Sequence, residues 1–126
     1  MDNLVADALT IEAAEPAPPE PLTLTWRGKS DDRYPDKVLK PFFARVLARA
    51  GARGGGVEMH FELLDHFNSS TISSLIRFIQ DARQQGVKLV IVYNQALKWQ
   101  KLSFDALRVF AKDDLLELRA TLPGPG

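Results

Sequence analysis

Hydrophobic and polar positions alternate along this chain in two distinct periods, and the switches between them outline its elements. Leu22, Leu24 and Trp26 alternate with Thr23, Thr25 and Arg27, which predicts a strand with one buried face that ends at Gly28. After a polar loop, Leu39, Phe42, Phe43, Val46, Leu47 and Ala50 recur at helical spacing, with Gly51 as a stop and Pro41 placing the start of the regular helix near that proline. Past the connector Gly54-Gly55-Gly56, Val57, Met59, Phe61 and Leu63 alternate with Glu58, His60 and Glu62, predicting a second strand. A helix then opens at Ser69, turns Ile72, Leu75, Ile76, Ile79 and Ala82 to a core, and stops at Gly86. Val87 to Tyr93 is apolar on both faces from Leu89 onward and belongs inside a sheet. Helical segments follow, with Ser103 capping a run through Phe104, Leu107, Val109 and Phe110 and Trp99 assigned to the core, and Leu116, Leu118 and Ala120 alternate as a last strand.

Strands alternating with helices in this order predict an α/β fold, with a mixed, mostly parallel sheet of four to five strands. Their one-sided polarity places the helices on one face of the sheet. Residues 1–20 read as a tail with a Pro-rich connector, in which Leu9 and Ile11 form a short edge strand or remain disordered. Residues 21–121 form the domain, and 122–126 a Pro/Gly tail.

Composition narrows the function classes. Sixteen basic side chains offset sixteen acidic ones, so no global field favours nucleic acid or an anionic membrane. The lack of cysteine removes thiolate metal sites and cysteine nucleophiles. No apolar run approaches the roughly 20 residues that span a bilayer, and a cytoplasmic protein without membrane insertion is expected. Asp65-His66 with Ser69 suggests a hydrolase dyad, yet the G-x-S-x-G elbow is missing. No His/Asp/Glu spacing matches a metal set, and the glycine run lacks a Walker lysine, so no catalytic residue, cofactor or metal is expected.

The stretch LLDHFNSSTISSLI holds the remaining chemistry. Asn68 is placed to cap the helix, with Phe67 stapling onto Ile72, and Ser69, Ser70 and Thr71 fill the first turn. A phosphoryl group there would add roughly −1.5 to −2 charges at the positive end of a helix dipole. Phe78 lies off the apolar stripe beside Ser74, so a docking flank of Ser73, Ser74, Arg77 and Phe78 is expected.

The segment from Phe61 to Leu118 resembles the second half of a STAS domain, the family of bacterial anti-sigma factor antagonists, with Asn68 at the Asp of its Asp-Ser-Ser-Gly-like turn, Ser69 at the phosphorylated serine and Asn94 near the strand-ending Asn. Gly28, Ser30, Tyr34, Pro35, Phe67, Asn68, Ser69 and Ser70 are similar to a neighbouring STAS-like family of small bacterial phospho-switch proteins with G-x-S-Y-P and F-N-T-S-S segments. The resemblance implies a non-enzymatic, phosphorylation-controlled partner switch. Its implied partners are an anti-sigma-type serine/threonine kinase, a serine phosphatase, and a downstream target, either a sigma-system component or a diguanylate cyclase. The alternatives are an unphosphorylated structural or transport-complex subunit and a hydrolase using His66 and Ser69.

Overall fold

The computed structural model describes residues 1–121; the Pro/Gly tail expected over 122–126 lies outside them. The elements in chain order are β1 (Leu4–Ala6), β2 (Leu9–Ala14), β3 (Leu22–Ser30), α1 (Asp36–Arg53), β4 (Val57–His60), β5 (Leu64–Phe67), α2 (Ser69–Gln84), β6 (Leu89–Asn94), α3 (Lys98–Ala106) and β7 (Leu116–Thr121), with a 3-10 turn over Leu107–Phe110. The strands run β1-β2-β3-β4-β6-β7 across the sheet, and β5 pairs with β3 beyond the end of β4. The β1–β2 and β2–β3 pairs are antiparallel. Every other pair is parallel. The class is α/β with a mixed, mostly parallel sheet, and it has seven strands in place of the four to five expected.

Two features supply the extra strands. Leu9 and Ile11 are buried because β2 pairs with β3 from Leu9↔Gly28 to Ala14↔Thr23, and β1 folds back onto β2, so both belong to the sheet. Gly28, at φ +84°, sits where β3 leaves β2 and turns to β5; a Cβ there would lie 2.0 Å from the Ala8 carbonyl oxygen. The strand expected to run unbroken from Val57 to Leu63 instead ends at His60 and resumes at Leu64, leaving Leu63 exposed. The buried Gln100 side chain explains the break, since its Nε2 donates to the Phe61 carbonyl at 2.7 Å and the Leu64 carbonyl at 3.2 Å. A side chain thereby satisfies backbone groups that a sheet neighbour would otherwise take.

All three helices cover one face of the sheet, and aromatic contacts show how. Trp26 of β3 meets Phe43 of α1 at 6.1 Å between ring centroids, Phe43 meets Phe78 of α2 at 4.7 Å, and Phe104 of α3 stacks on Tyr93 of β6 at 5.2 Å. The opposite face carries Thr23, Thr25, Glu58, His60, Glu117 and Arg119, set by the two-residue alternation of each strand. β6 is buried on both sides from Leu89 to Tyr93, as its run of apolar and aromatic residues requires.

The buried residues of α1 are the six expected, but the helix is regular from Asp36, contains Pro41, and ends at Gly54. Pro41 removes one internal hydrogen bond, while Asp36 is tied to α2 through Ser74 and Arg77. The helix after β6 starts at Lys98, passes Ser103 without a break, and leaves Val109 exposed.

A polar-pinned turn and the groove beside it

Phe67 is buried at the end of β5 and delivers Asn68 in extended conformation, with φ −94° and ψ 175°. Asn68 caps α2 as expected: its Oδ1 accepts the Thr71 amide at 2.9 Å. It also does something an aspartate could not. Its Nδ2 donates to the Asp32 carbonyl at 2.7 Å, joining the turn to the loop before α1.

The three consecutive hydroxyls of the turn have separate environments. Ser69, the first helical residue, is exposed, and Ser70 is half-buried. Thr71 is fully buried, with its Oγ1 2.7 Å from Ser30 Oγ and donating toward Asn68 Oδ1 at 2.8 Å and the Ser30 carbonyl at 3.2 Å. The expectation that Thr71 could be modified is therefore corrected: a phosphoryl group has no room there, and its hydroxyl is committed to β3.

The docking flank divides in the same way. Ser73 and Arg77 are exposed, whereas Ser74 is buried and Phe78 is 1% exposed. Phe78 is thus a core residue, not an outer ring, because α2 is rotated from the expected stripe. Thr71, Ser74, Leu75, Phe78, Ile79 and Ala82 face inward, and Ile72 and Ile76 are only partly buried at the edge. Polar partners explain the rotation, since Ser30 waits for Thr71 and Asp36 accepts Ser74 Oγ at 2.5 Å. The sequence held a sign of it: Thr71, Ser74 and Phe78 stand at i, i+3 and i+7, one helical stripe that apolar counting alone splits.

Asp36 also pairs with the Arg77 guanidinium. The Ser74 hydrogen bond, followed by Arg77 and Lys40, holds its carboxyl below the usual range against partial desolvation. Across this pair lies a shallow groove of about 440 Å³, lined by Arg33, Tyr34, Lys37, Ser70, Ser73 and Arg77 among others.

No family model and no curated protein matches this chain. Gly28 to Pro35 and Phe67 to Thr71, far apart in sequence, meet through Ser30, Asp32, Asn68 and Thr71. His66 lies elsewhere, its ring 6.1 Å from that of Trp99, and among the described residues it bonds to no seryl hydroxyl. Trp99 is only partly buried, packed edge-on against Phe67 at 5.1 Å. His60, on the open sheet face, sits between Glu58 at 2.7 Å and Glu62 at 2.9 Å. Among the described residues no group of three His, Asp or Glu side chains is placed to hold a metal. No helix in them is long and apolar enough to cross a membrane.

Proposed function

We propose that this protein is a non-enzymatic regulator whose binding to a partner is controlled by phosphorylation at the start of α2, at Ser69 first and Ser70 second. The observation that carries this reading is the exposure of Ser69 on a helix turn pinned from within by Thr71, Asn68 and Ser30. Charge added at Ser69 changes the surface while leaving those internal bonds intact. The resemblance to the anti-sigma factor antagonists and their small phospho-switch neighbours supports the same assignment. It supplies the partner classes: an anti-sigma-type serine/threonine kinase, a serine phosphatase that resets the site, and a downstream target that binds one of the two forms.

Co-expression with such a kinase followed by phosphopeptide mass spectrometry tests the modification. The expected product carries phosphate on the tryptic peptide containing Ser69 and Ser70, and Ser69→Ala removes most of it. A pull-down comparing Ser69→Ala with Ser69→Asp tests the consequence. Identical partner sets for both variants, with no phosphate on the turn, would sink the regulatory reading and leave a constitutive subunit as the better account.

A further inference from the structure

The groove between α1 and α2 differs in charge from other hollows of the surface. It holds Arg33, Lys37 and Arg77 against Asp36, three cations to one anion. The cavity beneath the β1–β2 turn holds Lys29 against Asp7, Asp31 and Asp32. On the open sheet face a third hollow holds Glu62 beside His60, and a fourth, near the start of β7, holds Lys88 and Arg108 against Asp113, Asp114 and Glu117. In a chain whose formal charge is zero, the α1–α2 groove alone of these four is positive.

Two of its three cations are also free to act. Asp36 is engaged by Ser74 and Arg77, and among the described residues neither Arg33 nor Lys37 pairs with a carboxylate. Asp31 and Asp32 immediately precede Arg33 in the same loop but line the neighbouring cavity, and the Asp32 carboxylate accepts the Tyr34 amide at 2.9 Å. Tyr34 itself is 62% exposed in the groove, a large amphipathic surface of the kind that anchors interfaces.

We infer that this groove docks an acidic segment of a partner protein, whose carboxylates meet Arg33 and Lys37 while an apolar side chain lies on Tyr34. The inference rests on the regulatory reading above and gives its partner a chemistry. Ser70 and Ser73 line the groove and Ser69 does not. Phosphate on Ser70 would place roughly −1.5 to −2 charges among the cations the segment needs, so modification there closes the groove most completely.

A short Glu/Asp-rich peptide carrying one leucine, titrated into the isotopically labelled protein, tests this by NMR. Amide shifts are expected to centre on Arg33, Tyr34, Lys37, Ser70, Ser73 and Arg77 and to shrink with salt, and a Lys-rich peptide should produce none there. The exposed double variant R33E/K37E should weaken binding about ten-fold, while Lys98→Glu on α3 leaves it unchanged. Shifts centred elsewhere, or R33E/K37E binding as well as wild type, overturn the inference even if phosphorylation still releases a native partner. If instead the peptide needs Arg33 and Lys37 but binds Ser69- and Ser70-phosphorylated protein as tightly as unmodified protein, the groove stands and the phospho-switch falls.

Discussion

Thr71 and Ser74 point inward from α2, each hydroxyl bonded to another element: Thr71 to Ser30 of β3, Ser74 to Asp36 of α1. Ser69 and Ser73, of the same chemical kind, point outward, and Ser73 Oγ bonds no farther than the Ser69 carbonyl of its own helix. Side chains of one type therefore serve as pins on one side of the helix and lie open to solvent on the other. A hydroxyl that pins cannot be modified without loosening the fold, and one that does not pin can be modified freely. The division places any regulatory chemistry on the outer side and the stability cost of damage on the inner side.

The strongest test of the division is Phe78→Ala. A ring fully buried between α2 and Phe43 should cost about 3–5 kcal/mol on truncation, readable as an earlier denaturant midpoint with an unchanged slope. An outward docking residue at that position would cost next to nothing. Thr71→Val comes next, at about 1–3 kcal/mol, because it leaves the Ser30 hydroxyl buried without its closest partner. The pair sharpens the point: Ser30→Ala/Thr71→Val should cost less than the two single changes added together, since neither hydroxyl is then left wanting.

Much of this architecture was legible from periodicity. All six core residues of α1, the interior strand β6, the alternation of β7 and the Asn68 cap follow from local pattern and local chemistry. What was not legible depends on partners distant in sequence. The rotation of α2 is set by Ser30 and Asp36, which lie 41 and 38 residues from the side chains they bind, so apolar counting assigned Ile72 and Ile76 inward and Phe78 outward. The split between β4 and β5 is set by Gln100, which lies 39 residues from the Phe61 carbonyl it binds. The strands β1 and β2 needed the left-handed Gly28 to let the Ala8 backbone approach. In the candidate site, the capping residue and the exposed Ser69 could be read in advance, and the cationic groove could not, because Arg33, Lys37 and Arg77 come together only when α1 and α2 pack.

The ionic pin should also respond to acid, unlike the neutral one. Asp36 has its carboxyl lowered in the folded state, so its contribution is complete above the unfolded carboxylate pKa of roughly 3.9 and is lost as pH falls through the lower folded value. Asp36→Asn should therefore flatten part of the acid limb of a plot of melting temperature against pH. It should not flatten all of it. Glu15, lowered to about 2 by the amino terminus and then Arg49, and Asp105, lowered to about 2 by Lys101 and then Tyr93, lose their contributions in the same direction. The Ser30–Thr71 bond contains no titrating group, so Thr71→Val should shift that curve down without changing its shape.

The smallest expected effect is the most informative about regulation. Ser69→Ala should change stability by no more than about 0.5 kcal/mol, since its exposed hydroxyl pins nothing. Ser69→Asp should be neutral or gain about 0.3–1 kcal/mol, because a carboxylate in the first turn faces the positive end of the α2 dipole. Thr71→Asp, two residues on, buries the same charge against Ser30 and should unfold much of the protein. Denaturant melts of the two aspartate variants side by side decide the matter: equal losses would erase the distinction between pinning and free hydroxyls, and with it the reason that charge at this turn can be added and removed while the domain stays folded.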